Sequence, residues 1–189
     1  MLTTIVYAHP YDKSFNRAIL DTVTASLSAR GREYSLIDLC RDGFDPVLTC
    51  DELAVYPEGG MPDPLVKRYN RILDQTEKVI LIFPIWWYDC PAILKGFLDK
   101  VMLNGSAFTS DEKGLHAKRN IPETLVITTS NAATEAIVTK FGDAINQMMI
   151  GAVFKFIGFN GGSWQNFGGI GKSSEEERKK FLQKIHSLA

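Results

Sequence analysis

The chain has 189 residues, 45% hydrophobic and 23% charged, with a formal net charge of −1 and a pI near 6.3. That length fits a single domain with a full core, the composition excludes disorder, and the near-zero charge supplies no basic field for nucleic acid or anionic lipid. Three cysteines (Cys40, Cys50 and Cys90) without CxxC spacing make neither a disulfide framework nor a zinc site, which fits a reducing cytoplasm.

Residues 3–8 (TTIVYA) are β-rich and predict a first strand, broken at once by His9 and Pro10. Neither a signal peptide nor a membrane-spanning helix is expected. Phe15, Ala18, Ile19, Val23 and Leu27 follow helical spacing, ended near Gly31. Residues 33–38 predict a second strand. Residues 41–64, rich in Asp, Gly and Pro, predict a long excursion with a short helical turn at 51–55, expected to wall a site or meet a second subunit. A helix follows over 65–73.

Residues 78–102, KVILIFPIWWYDCPAILKGFLDKVM, organise the rest. The unbroken apolar run 79–83 suits a central strand covered on both faces, which Pro84 ends. Ile93, Leu94, Phe97, Leu98, Val101 and Met102 then repeat at helical spacing, with Pro91 fitting the first turn. Cys90 reads as a small buried filler rather than a reactive thiol. Residues 104–114 read as loop, and 124–129 (TLVITT) as a buried strand. Residues 134–156 predict a helix in two parts, broken at Gly142, with Asp143 capping the second. Ile145, Met148, Met149, Ala152, Val153 and Phe156 would form its apolar stripe. A glycine-interrupted strand is expected within 159–167, and a last helix capped by Ser173 or Ser174, its EEERKK run a solvated face. The alternation predicts an α/β, doubly wound, largely parallel sheet in one domain.

Three sheet-top turns carry the candidate chemistry. The turn after the first strand lacks GxGxxG and the GK[ST] of a P-loop, which disfavours a dinucleotide-binding Rossmann site. It offers His9, Ser14 and Asn16, with the N–H groups of Phe15 and Asn16 entering a helix. Ser14 alone reads equally well as a plain cap, but donors on four residues of one turn favour an anion site. Between the central strand and its helix stand Trp86, Trp87, Tyr88 and Asp89. One of these rings could close the core top or a subunit contact; together they suit a stacking wall whose backbone meets the edge of a flat heterocycle. Thr128, Thr129, Ser130 and Asn131 add a polar rim. A phosphorylated flat cofactor such as a flavin nucleotide satisfies all three turns.

The segments AHPYDKSFN, FPIWWYDCPAILKGFLDKV and TTS, in that order, resemble the flavodoxin-like NAD(P)H:quinone oxidoreductase family, which includes bacterial oxidoreductases that regulate potassium efflux channels. The similarity runs from Ile5 to about Gly158, and its most specific part is P-x-x-W-[WFY]-x-x-P-A-I-L-K-G. The resemblance implies a five-stranded, three-layer flavodoxin-like fold and a homodimer with a flavin on each protomer. It also implies two-electron, ping-pong hydride transfer from NAD(P)H through the flavin to a quinone. By position, His9, Ser14, Phe15 and Asn16 would bind the flavin phosphate region. Pro84, Ile85, Trp86, Trp87 and Tyr88 would line the ring, and Thr128, Thr129 and Ser130 would meet its other edge. Trp87 and Tyr88 would face nicotinamide or quinone as the catalytic pair.

The chain departs from the animal enzymes of that family. Their Tyr/His proton relay has no counterpart, since no Tyr or His lies between Thr129 and Phe156. Tyr88 or water would replace it. Ser130 stands where the family has Gly and is expected to narrow the approach to the ring edge. A shortened segment before the third strand favours FMN, with FAD as the alternative. The rival readings are azo- or nitro-compound reduction, and a regulatory flavoprotein that binds a transporter or channel. A flavodoxin-type electron carrier is disfavoured, because its strongly acidic docking face is missing.

Overall fold

The computed structural model describes residues 2–189. In chain order its elements begin with β1 (Thr3–Tyr7), α1 (Phe15–Ala29), β2 (Tyr34–Asp38), α2 (Cys50–Val55), α3 (Pro64–Leu73), β3 (Lys78–Pro84) and α4 (Ala92–Val101). Next come β4 (Phe108–Asp111), β5 (Gly114–Ala117), β6 (Glu123–Thr129), α5 (Thr134–Lys140), a π-helical segment (Ile145–Phe154), β7 (Gly162–Phe167) and α6 (Glu175–Leu188). Five strands form a parallel sheet in the order β2-β1-β3-β6-β7, the flavodoxin-like arrangement. Among the described residues no helix is long and apolar enough to cross a membrane.

Strand alternation divides the core. Ile5, Tyr7, Ile80, Ile82, Leu125 and Ile127 face one side and pack under α1 and α6. Val6, Val79, Leu81, Phe83 and Val126 face the other, against Leu94 and Phe97 of α4 and Phe154 of the π-helical segment. Each large apolar side chain so buried contributes roughly 1.5–3 kcal/mol. Covered on both faces, β3 has no room for polar alternation, which explains its unbroken apolar run.

The excursion over 41–64 does not wall the sheet top. It docks on α4, where the buried Lys100 ammonium meets Glu52 at 3.0 Å, Asp63 at 3.2 Å and the Asp45 carbonyl at 2.9 Å. Burial opposes the Lys100 charge, but the two carboxylates outweigh it and raise its pKa. α2 forms as expected, begun by a Thr49–Glu52 capping box.

Three local expectations fail. The loop over 104–114 contains most of an antiparallel hairpin, β4–β5, whose polar, exposed strands carry no apolar alternation to read. The second part of the 134–156 helix winds with i→i+5 bonds, so its stripe splits. Ile145 and Met149 are buried while Met148 and Phe156 are exposed. Asp143 does not cap its backbone; the carboxylate accepts from the Asn146 side-chain amide at 3.0 Å. Of the two candidates for the last cap, it is Ser174, in a capping box with Glu177.

Candidate functional site

Strands β1, β3 and β6 are neighbours, so the turns at their carboxyl ends meet. A sheet of this order reverses its winding between β1 and β3, where ligands of open α/β sheets bind. In the first turn Ser14 caps α1, its Oγ accepting from the Arg17 N–H at 3.1 Å. The N–H groups of Phe15 and Asn16, one residue further in, have no intrahelical acceptor. His9 Nδ1 accepts from the Tyr11 N–H at 3.1 Å, which leaves the proton of the neutral ring on Nε2. Burial holds its pKa below the ordinary value. Asn16, only 3% exposed, donates its amide to Thr129 Oγ1 at 2.8 Å, and its Oδ1 is buried without a partner. That contact ties the first turn to the third.

The aromatic turn is a two-residue hairpin. The Trp86 N–H donates to the Asp89 carbonyl at 3.0 Å and the Asp89 N–H returns to the Trp86 carbonyl at 3.1 Å. Both central residues are left-handed, Trp87 at φ 53° and Tyr88 at φ 65°, as a type I′ turn demands. Glycine and asparagine suit such positions; bulky residues there are strained, and strain of this kind gathers at functional sites. The turn lifts all three rings clear of the core. Trp86 meets the His9 ring edge-on at 5.9 Å, Trp87 is 97% exposed, and Tyr88 packs on Phe141 at 4.5 Å.

The third turn is fastened from behind. The Ile85 N–H donates to the Thr129 carbonyl at 2.8 Å and the Ser130 N–H to the Phe167 carbonyl at 3.0 Å. Asn166 of β7 is the hub: Oδ1 accepts from Thr128 Oγ1 at 2.8 Å, and Nδ2 donates to Ser130 Oγ at 2.9 Å and Thr134 Oγ1 at 2.8 Å. Trp164 Nε1 donates into the same chain at Thr128 Oγ1, 2.8 Å away. Just past β7 the chain comes so close that a Cβ on Gly168 would lie 2.6 Å from the Thr134 nitrogen, so only glycine fits.

Two clefts open where the turns meet. The smaller, about 230 Å³, lies between the start of α1 and Thr129 and includes His9, Ser14, Asn16 and Trp86. The larger, about 490 Å³, is walled by Trp86, Trp87 and Tyr88 on one side and Ser130, Asn131 and Ala132 on the other. Ile85, Trp86, Ser130 and Asn131 belong to both. The pair offers an anion-accepting end, an orphan acceptor midway, and a planar slot. Among the described residues, the N–H groups of Trp87, Tyr88, Asn131 and Ala132 have no acceptor within the chain and remain available at the slot.

The structure brings His9, Ser14, Phe15, Asn16, Pro84, Ile85, Trp86, Trp87, Tyr88, Thr129 and Ser130 to these clefts. Thr128 is placed elsewhere. Strand alternation points its side chain to the opposite face from Thr129, into the Asn166 chain. The Ser130 hydroxyl donates to the Ala132 carbonyl at 2.7 Å, which ties it within the third turn, and Ser130 lines both clefts. Sequence reasoning missed Ala132, Phe141, Asn166 and Ile170. Only Ala132, two residues past Ser130, lay close enough in the chain to be found.

Comparison with known proteins agrees with this architecture. The family described as flavodoxin-like fold matches residues 1–189. An uncharacterized NAD(P)H oxidoreductase of Haemophilus influenzae is 28% identical over 181 residues, 95% of this chain and 89% of the relative. The ribosyldihydronicotinamide dehydrogenase [quinone] of Mus musculus is 29% identical over 203 aligned positions, 94% of this chain and 86% of the relative. The solved NAD(P)H:quinone oxidoreductase of Methanothermobacter marburgensis superposes with a TM-score of 0.89 at 26% identity, covering 100% of this chain and 96% of that one. The chain belongs to the flavodoxin-like fold family.

Proposed function

We propose that the chain is a flavin-dependent NAD(P)H:quinone oxidoreductase, built as one flavin-binding domain and working as a cytoplasmic homodimer. The observation that carries this reading is the joining of three turns into one slot by the Asn16–Thr129 and Ile85–Thr129 bonds. The residues present fit FMN. A phosphate suits the start of α1, and the buried Asn16 Oδ1 needs a donor such as a ribityl hydroxyl. The planar slot suits an isoalloxazine ring. A flavin held there would supply two-electron hydride chemistry between NAD(P)H and an acceptor.

The protein's own part is positioning and electrostatics. The first N–H groups of α1, with Ser14 and the His9 Nε2–H nearby, hold the phosphate and fix the ring in register. Trp86 backs the slot, and the free N–H groups of Trp87 and Tyr88 would stabilise negative charge on a group held there. Trp87 and Tyr88 form the outer face on which nicotinamide and quinone bind in turn, stacked in near-attack contact. The overall reaction is NAD(P)H + H⁺ + quinone → NAD(P)⁺ + hydroquinone. The Tyr88 hydroxyl and solvent are the proton sources at that face. An apolar groove of about 440 Å³ between α4 and the π-helical segment, with Met148 and Val153 on its wall, borders Tyr88 and receives the second subunit.

Steady-state kinetics with NADPH and a naphthoquinone tests this. Parallel double-reciprocal lines across quinone concentrations are expected from the ping-pong cycle. Intersecting lines, or no NAD(P)H oxidation by flavin-loaded protein, would remove the reading.

A further inference from the structure

We infer that Asn166 is a positioning residue. Through a one-way chain of hydrogen bonds it sets the third turn so that free N–H donors line the larger cleft while neighbouring carbonyls are held back. The inference rests on the flavin reading and deepens it, because fixed donors there favour the reduced, electron-rich form of a ring in the slot. Asn166 lines neither cleft itself; it acts through Ser130, which lines both.

Donor chemistry gives the chain its direction. The Trp164 indole can only donate, and its Nε1–H goes to Thr128 Oγ1 at 2.8 Å. The Thr128 proton then goes to Asn166 Oδ1, also at 2.8 Å. That leaves Nδ2 of the amide facing Ser130 Oγ at 2.9 Å and Thr134 Oγ1 at 2.8 Å. Ser130, accepting there, gives its own proton to the Ala132 carbonyl at 2.7 Å. All these bonds run in one sense, from β7 into the turn. An amide suits the middle link, accepting on one atom and donating from the other. Thr128 and Ser130 are buried, so an unmade link would strand a desolvated group, and aligned links reinforce one another.

The consequence lies in the backbone. The Ala132 carbonyl also accepts from the Gly169 N–H at 3.3 Å, and the Ser130 carbonyl from the Ile170 N–H at 3.0 Å. Among the described residues, the N–H groups of Asn131 and Ala132 have no acceptor within the chain, and both residues wall the larger cleft. Donors fixed in advance stabilise negative charge on a guest without reorganising. The Thr134 branch is separate, since it runs to the first residue of α5 rather than into the turn.

The test titrates flavin-free, full-length protein with FMN and then measures the midpoint potential of the bound flavin. Asn166→Leu keeps a similar shape and removes the chain. Thr134→Val removes the other bond of the same amide and leaves the Ser130 branch whole. Asn166→Leu should weaken oxidised FMN by less than about threefold and reduced FMN by about tenfold more, which makes this two-electron potential about 30 mV more negative. Thr134→Val should leave the ratio of the two affinities within about twofold of the wild type. An unchanged ratio in Asn166→Leu would overturn the assignment. So would an equal shift in both variants, which would make Asn166 a general fastener of β7. Thr128→Val breaks the chain one link upstream with little change of shape, and keeps the test decisive if Asn166→Leu does not fold. It should move the ratio the same way by at least about threefold, and no movement would overturn the directed chain. Failure of the underlying reading looks different: the wild type would then bind neither FMN nor FAD, and both would fall.

Discussion

Trp87 contributes little to the fold and, in the proposed function, serves the site at the fold's expense. Its indole is 97% exposed and so adds almost nothing to the core, while its left-handed backbone is one that a bulky L-residue adopts reluctantly. Trp87→Gly should therefore stabilise the protein by about 1 kcal/mol, read as a higher urea midpoint, while quinone turnover falls. A lower midpoint would mean that the ring is packed after all. His9 makes a second residue-scale case. Burial lowers its pKa below 6.5, so between the two values the unfolded chain binds more protons than the folded one. Stability should be full above that window and be lost as pH falls from 6.5 through the depressed folded value. Urea midpoints of flavin-free protein from about pH 7 to pH 5 should fall less steeply for His9→Gln than for the wild type; identical slopes would contradict the neutral-imidazole assignment.

At the scale of elements, the docked excursion and the fastened third turn show what the sequence could and could not convey. The strands were legible because burial on both faces leaves an unambiguous apolar run, as in β3, and α2 because Thr49 and Glu52 stand in a capping box. The β4–β5 hairpin was not, since its exposed strands lack apolar alternation, and the π winding was not, since helical spacing assumes i→i+4 bonds. Lys100 was also hidden: a lysine in an amphipathic helix reads as solvated until its buried carboxylates are seen. Its raised pKa makes the tether fully effective below the unfolded lysine value, to be lost as pH climbs through the folded one. The lowered pKa of Glu52 makes its share effective above the unfolded carboxylate value, to be lost as pH falls through the folded one. Lys100→Met strands two partly buried carboxylates and should cost about 3 kcal/mol near neutral pH by urea unfolding, with faster proteolysis across 41–62. A loss below about 0.5 kcal/mol would mean that the excursion is held otherwise.

Across the whole molecule, the order β2-β1-β3-β6-β7 makes a site of segments that are distant in the chain. Most of the lining of these candidate clefts was legible because its residues sit at strand ends, where a parallel sheet must place its loops. Phe141 and Asn166 were not, because each acts by meeting a side chain from another element rather than by its own sequence context. In the proposed homodimer the groove beside Tyr88 is the subunit contact: Met148→Asp, placing a charge on its exposed apolar wall, should then shift the protein from dimer to monomer in light scattering. An unchanged dimer would place the subunit contact elsewhere.

In the proposed function, three sheet-top turns hold one planar, phosphate-bearing ring. Titration of flavin-free protein with FMN, followed by flavin fluorescence, tests it most directly, because the aromatic wall should quench the ring as it stacks. One equivalent of FMN per chain, with fluorescence quenched and binding weakened by Asn16→Ala, is the predicted result. Unquenched fluorescence with neither FMN nor FAD retained would contradict it.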